Sequence, residues 1–403
     1  MNPDWSAAAR QAVQRCRVLA GYSEEPGWIT RTYLSAPMHD VHRALTEWLV
    51  PCGCAVSVDA AGNLRAVRGG SGNAPTLVIG SHLDTVIHAG AFDGVLGVVM
   101  GVALIEAMGS RDLPFRIELI GFSEEEGVRF GLPFLGSRAV TGDLNENTVA
   151  LMSPAIREFG LDPAELPLAR LQPPIAGYLE FHIEQGPVLE QLGLPVGIVE
   201  AIAGQNRFEI RFEGSAAHAG TIPAHLRKDA LAGAAEWIIA VERTMRDTPG
   251  LVATVGRITV EPGVPNVIAG AAVMSLDIRH ARDEIRRDAA QRLTAEAEVV
   301  ARARGLRVCL RQRSDLPATP LDAGFVALLE DAVRGAGFPV HRMPSGAGHD
   351  AMILAAHVSA AMLFVQSPGG LSHCPEESVR EDGVAAALAC GAEFLSLLER
   401  KYA

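Results

Sequence analysis

Four apolar stretches of this sequence run directly into residues of the kind that bind divalent metals. TLVIGS leads to His82-Leu83-Asp84, ELIGFS to Glu124-Glu125-Glu126, YLEF to His182-Ile183-Glu184, and MLFVQSPGGLS to His373. Imidazole and carboxylate donors with no thiolate among them suit zinc, manganese or cobalt. A pair of such ions, typically about 3.5 to 4 Å apart, activates water for hydrolysis, and it needs one bridging carboxylate. Asp93 is the candidate, in the turn HAGAFDGVLG where Gly90 and Gly94 allow close backbone approach. Taken singly, a histidine beside a strand is more often a hydrogen-bonded rim residue, and an acidic triplet is usually a solvated turn. This triplet follows an apolar strand and precedes Gly127, where burial demands partners or a metal.

The elements that must position these residues are legible from periodicity and composition. TLVIG (76–80), FRIELIGF (115–122), YLEFHI (178–183) and AAMLFVQ (360–366) read as strands. GVLGVVMGVALIEAMGS (94–110) reads as an apolar helix between the first two. That order predicts an α/β fold with a mixed, largely parallel sheet flanked by helices, and open sheets of this kind place their sites at the C-terminal ends of the strands. A helix over 39–50, a hairpin over 55–67 around Gly62-Asn63, and a last helix over about 382–400 complete this part.

Between YLEFHI and AAMLFVQ the texture changes. RFEIRFEG, LVATVGRITV, AAVMSLDIRH and RVCLRQRS, with helices near 226–246 and 282–304, read as an inserted α+β unit of four strands and two helices. The expected division is 1–203 with 318–403 for the larger domain and 204–317 for the insertion.

The chain has 403 residues, enough for two or three domains. Its net charge of −12, from 35 basic and 47 acidic residues, argues against nucleic acid or an anionic membrane as partner. The opening MNPDWSAAARQAVQRC has no apolar signal region, and six scattered cysteines form no disulfide framework, which together predict a cytoplasmic protein.

GSHLDTV, GAFDGVLG, SEEEGVRF, FHIEQGPVLE, HAGTIP, PNVIAG, DIR, SGAGHDAM and SHCPEE occur in this order and resemble the M20-type metallo-amidohydrolases of the hydantoinase/carbamoylase group. The resemblance implies a zinc-exopeptidase-like catalytic domain and two divalent ions per subunit, zinc or manganese, with cobalt a further option. It implies that His82, Asp93 and His182 hold one ion and that Asp93, Glu126 and His373 hold the other. Asp84 is expected to accept the far N–H of His82. The residues themselves leave the register of the acidic triplet open; the family pattern makes Glu125 the general base and gives Glu124 no catalytic role. By the same resemblance Arg279 clamps a substrate carboxylate, Gln205 and Asn266 hydrogen-bond the substrate, and Gly369 and Gly370 line the pocket with backbone. His218 is expected to stabilise the oxyanion, reaching in after lid closure or from a partner subunit. The family consensus HAGTTPM reads HAGTIPA here, with Ile222 and Ala224, and Cys374 follows His373 where a small polar residue is common.

The implied reaction is cleavage of a ureido C–N bond in a small carboxylate-bearing substrate by a homodimer joined through the inserted lid. WITRTYLSAPMHDVHRALTEWL, GFSEEEGVRF and FLGSRAVTG favour allantoate, hydrolysed to ureidoglycine, CO2 and ammonia. An N-carbamoyl-L-amino acid or the substrate of β-ureidopropionase is the alternative, and a catalytically inactive binding module of the same fold is the non-enzyme reading. A dinucleotide site at Gly346-Ala-Gly348-His-Asp-Ala351 is disfavoured because PVHRMPS is a poor buried strand interrupted by Pro344. No G-x-S-x-G supports a serine hydrolase.

Overall fold

The structure, a computed structural model, describes residues 4–70 and 72–402. The chain divides into two compact units, one built from residues up to Glu200, Leu321–Met343 and Ala347 onward, the other from Ala201–Pro320 and Pro344–Gly346.

In the first unit the strands are β1 (Ala55–Val58), β2 (Leu64–Arg68), β3 (Thr76–His82), β4 (Arg116–Phe122), β5 (Ile175–Ile183), the start of β6 (Val196–Ile202) and β15 (Ala360–Val365). They lie in the order β1-β2-β4-β3-β5-β15-β6. β4, β3, β5 and β15 are mutually parallel, and antiparallel strands flank them on both sides. Every residue of β3 and β15 is buried, which is why these strands read as unbroken apolar runs: helices cover both faces of a parallel sheet. Because the four central strands share a direction, their C-terminal ends share one edge.

The helices of this unit are α1 (Trp5–Ala20), α2 (Pro37–Leu49), α3 (Val95–Ala107), α4 (Leu135–Thr141), α5 (Glu146–Glu158), α6 (Val188–Leu192), α9 (Ala323–Gly335), α10 (Asp350–Leu354) and α11 (Glu381–Tyr402). α3 packs between β3, β5 and the outer helices α1 and α11, so it is apolar all round, as a fully enclosed helix must be. Arg31, fully buried, donates to the carbonyls of Leu83 (2.8 Å), Leu19 and Tyr22 (3.1 Å each), tying the end of α1 to the segment after β3.

The second unit contains β7 (Gly204–Glu213), β8 (Ala217–His218), β9 (Val252–Glu261), β10 (Val267–Ile268), β11 (Ala271–His280), β12 (Arg307–Leu316) and β13 (Thr319–Pro320), with α7 (Ala230–Asp247) and α8 (Asp283–Ala303). Its antiparallel sheet runs β12-β7-β11-β9. β7 and β11 alternate buried and half-exposed residues, and the buried set packs with Trp237 of α7 and Leu293 of α8. Trp237, completely buried, donates Nε1–H to the carbonyl of Leu293 at 2.9 Å.

Three features differ from the sequence reading. α7 begins at Ala230 rather than near 226, because the carboxylate of Asp229 caps the amides of Leu231 and Ala232 and Pro223 leads only a short turn before it. The ribbon β8–β10 is two residues long on each side, too short to leave a periodic signal. β14 (Arg342–Ser345) is a strand despite Pro344, whose exposed ring needs no ladder donor on the outer side of β6. No described helix is long and apolar enough to cross a membrane.

Trp237→Ala should destabilise the second unit by about 3–5 kcal/mol, the range for emptying an aromatic core position. Chemical denaturation measures it, and a change under about 1 kcal/mol would show that this ring is not central to the packing.

Candidate metal centre

His82 ends β3 and His182 lies near the end of the adjacent β5. Each ring is oriented from behind by a backbone carbonyl: Nδ1 of His82 donates to Asp84 O at 3.0 Å and Nδ1 of His182 to Ile183 O at 2.9 Å. Those bonds place the proton of each neutral ring on Nδ1. The two Nε2 atoms therefore present lone pairs to the same space, 3.4 Å apart. Oδ1 of Asp93 joins them, 3.1 Å from His182 Nε2 and 3.5 Å from His82 Nε2, buried and without an aligned hydrogen bond. Three electron-pair donors converging in a buried space call for a cation, so the residues present fit a divalent metal.

The other oxygen of Asp93 faces elsewhere. Oδ2 lies 3.1 Å from Nε2 of His373, and the same Nε2 is 3.5 Å from Oε1 of Glu126. Asp93, Glu126 and His373 form one potential metal-binding group, and His82, Asp93 and His182 another, with Asp93 common to both. Asp93 sits just before α3, and Gly94, at φ +66°, lets the chain pass the imidazole of His82, which a Cβ would meet at 2.4 Å.

The acidic turn after β4 is pinned by Asp84. Its carboxylate accepts the backbone N–H groups of Glu125 and Glu126, each at 3.1 Å, and lies 3.9 Å from Nδ1 of His82. Asp84 thus accepts the far N–H of His82 through its carbonyl, while its carboxylate is occupied by the two amides. Glu124, in the left-handed region at φ +52°, turns away and accepts the amides of Arg129 and Phe130.

Burial pushes the carboxyl of Glu125 well above the ordinary range, with Glu126, Asp350 and Asp84 adding to the rise. Burial likewise raises Glu126, up to about 7. For Asp93 burial acts in the same upward sense, but the three facing imidazoles outweigh it and hold the carboxyl well below its ordinary value. Burial opposes protonation of His82 and His182, yet the adjoining Asp93 carboxylate raises both.

Several residues of this centre carried no assigned role in the sequence reading. Gln185 Nε2 donates to Asp93 Oδ2 at 2.8 Å, and Ser372 Oγ donates to the same oxygen at 2.7 Å. Glu180 and His349 form a further group with His182. Glu180 accepts from Tyr178 Oη (3.0 Å) and the amide of Ala351 (2.8 Å), so it is satisfied within the protein. The signal for Glu180 was available, as the only acid inside the apolar run YLEF. Gly369 and Gly370, expected to line the pocket with backbone, have their amides occupied. The amide of Gly369 is taken by Glu190 and that of Gly370 by Ser367 O, and a Cβ at Gly370 would meet Gly186 and Pro187 at 2.8 Å, so neither offers a free N–H and Gly370 is needed for close chain packing.

The second unit holds the remaining candidates. Gln205 and Arg279 are cross-strand partners on β7 and β11, and both contact Asp277: Gln205 Nε2 at 2.8 Å, Arg279 Nε at 2.8 Å and Nη2 at 3.2 Å. Arg279 Nη1 also donates to Gly346 O at 2.7 Å. Of the five guanidinium N–H groups, one on each terminal nitrogen is left, the pair that a carboxylate can take. His218 and Asn266 come together on the ribbon, where Asn266 O accepts the amide of Ala219 at 2.9 Å. Nδ1 of His218 accepts Gly220 N–H at 3.0 Å, which leaves its Nε2–H as an exposed donor.

The Peptidase family M20/M25/M40 matches residues 78–397. The chain belongs to that family, and it is a hydrolase. It is 35% identical to allantoate deiminase 2 of Glycine max, over 96% of this chain and 89% of the relative. It is 36% identical to an N-carbamoyl-L-amino acid amidohydrolase of Geobacillus stearothermophilus, over 95% of both chains. The crystal structure of a hydantoinase/carbamoylase family amidase from Burkholderia multivorans superposes with a TM-score of 0.90 at 28% identity, covering 96% of this chain and 97% of the other.

Glu126 and the three imidazoles have raised pKa values in the metal-free protein, from ordinary values of 4.5 and 6.5. The folded, metal-free chain therefore keeps protons that the unfolded chain releases. That contribution is full below the ordinary values and is lost as pH rises through the raised ones. A divalent ion takes the place of those protons. The gain in Tm between chelator-treated and Mn2+-loaded protein should consequently grow from about pH 5 to about pH 8. A gain that does not change with pH would contradict proton competition at these residues.

Proposed function

We propose that this protein is a di-metal amidohydrolase cleaving a ureido C–N bond of a small carboxylate-bearing substrate, with allantoate as that substrate. The observation that carries the reading is buried Asp93, whose two oxygens face separate donor sets, beside the raised carboxyl of Glu125. Two divalent ions, zinc or manganese, held by His82, Asp93 and His182 and by Asp93, Glu126 and His373, would supply Lewis acidity that acidifies water and polarises the substrate carbonyl.

The chain's own groups do the rest. Glu125, a stronger base than a solvent-exposed glutamate, takes a proton from the attacking water as its oxygen bonds to the ureido carbon. The C–N bond then breaks, and Glu125 returns the proton to the leaving nitrogen. The products are ureidoglycine and carbamate, which decomposes to CO2 and ammonia. From the second unit, the Nε2–H of His218 suits a donor to the developing oxyanion, and the two remaining N–H groups of Arg279 suit the substrate carboxylate. Gln205 and Asn266 are assigned as amide partners of the substrate. We assign residues 204–317 as lid and dimerisation domain by resemblance to the family. Six free cysteines suit a reducing, cytoplasmic setting. Hydrolysis of N-carbamoyl-L-amino acids is the second reading, favoured by the 36% identity to such an enzyme.

Ammonia release from allantoate, N-carbamoyl-L-amino acids, N-carbamoyl-β-alanine and ureidoglycolate separates the two readings. Allantoate should give the highest kcat/KM; preference for a carbamoyl amino acid would keep the mechanism and replace the substrate. Glu125→Gln should lower kcat by about 10²–10⁴ with metal content unchanged, the usual worth of a general base. A variant retaining a tenth of wild-type kcat would remove Glu125 from that role. Arg279→Ala should act mainly on KM.

A further inference from the structure

Glu377, four residues beyond His373, is buried and reaches back to the turn that carries Asp93. Its Oε1 accepts two consecutive backbone amides, Phe92 N–H at 2.8 Å and Asp93 N–H at 3.0 Å. Its Oε2 lies 3.1 Å from Ser372 Oγ, the hydroxyl that donates to Asp93 Oδ2 at 2.7 Å. One carboxyl group therefore contacts the backbone of Asp93 directly and its side chain through Ser372. Glu377 N–H in turn bonds Cys374 O at 3.2 Å, a tight turn over 374–377 that starts directly after His373. The turn has been hollowed to admit this side chain: a Cβ on Gly90 would come within 2.3 Å of both Cβ and Oε1 of Glu377.

We propose that Glu377 is a positioning residue that fixes the spacing between Asp93 and His373, and so sets the affinity of the metal position formed by Asp93, Glu126 and His373. The inference rests on the two-ion reading above. The position formed by His82, Asp93 and His182 depends less on Glu377, because both of those imidazoles are oriented by carbonyls of their own strand ends. A glutamine at 377 satisfies the same partners, its oxygen accepting the two amides and its amide nitrogen donating to Ser372 Oγ. The role is thus one of hydrogen-bond geometry, which the conservative substitution preserves and alanine removes.

The test is calorimetric titration of the chelator-stripped full chain with Mn2+, with metal content measured after gel filtration. Wild type should show two binding events. Glu377→Ala should weaken one of them by about 10- to 100-fold, the effect of removing such supporting partners, and leave the other within a few-fold. Glu377→Gln should restore both to within about threefold, and Ser372→Ala should weaken the same event as Glu377→Ala, by less. Where alanine at 377 prevents folding, the glutamine and Ser372 variants still decide. Two unchanged events in Glu377→Ala, equal weakening of both, or a glutamine variant as impaired as the alanine one would each overturn the role. Wild-type protein that takes up a single ion would instead overturn the two-ion reading, and this inference with it.

Discussion

A carboxylate buried among three imidazoles is the constraint on which the first unit turns. Asp93 is 4% exposed, and its oxygens lie 3.1 Å from His182 and 3.1 Å from His373. An ionised carboxylate at that depth is costly unless positive charge and hydrogen bonds compensate it. The protein meets that need from three sides. Imidazoles arrive from β3, β5 and the loop after β15, Gln185 and Ser372 donate to Oδ2, and Glu377 holds the backbone. None of these groups is near Asp93 in sequence except His82, so the arrangement exists only because four parallel strands end on one edge.

The same economy of polar groups appears around the acids. Asp84 uses its carbonyl to orient His82 and its carboxylate to hold the turn of Glu125 and Glu126, so a single residue couples a histidine of one strand to the acids of the next. Arg31 secures the segment between them by donating to Leu83 O from a fully buried position. Burial disfavours the charged forms of Glu125 and Glu126, and neighbouring carboxylates add to the rise. A centre of this kind is strained in charge without cations and well suited to hold them.

In the second unit the polar groups singled out from sequence lie on a different scaffold. An antiparallel sheet half covered by two helices leaves one face polar, and Asp277 gathers Gln205, Arg207 and Arg279 there. Asp277 sits half-buried, and the hydrogen bonds of its guanidinium neighbours hold its carboxyl below the ordinary range despite burial. Arg279 is thereby held in one orientation, by Asp277 and by Gly346 O.

The sequence by itself determined the class of chemistry and the main scaffold. Apolar runs ending in His82, Glu124 to Glu126 and His182 marked parallel strands and their active edge, because strands buried on both faces must be apolar until they emerge. The change of texture between YLEFHI and AAMLFVQ marked a separate α+β unit of four strands and two helices. Tertiary structure alone decided which atoms serve which purpose. That the Asp84 carboxylate holds amides instead of His82, that Gly369 and Gly370 have no N–H to offer, and that Gln185, Ser372 and Glu377 enclose Asp93 depend on distances across loops far apart in the chain. Residue type and spacing specify what a side chain can bond to, whereas the partner it takes is fixed only when folding brings competing donors and acceptors within about 3 Å of one another.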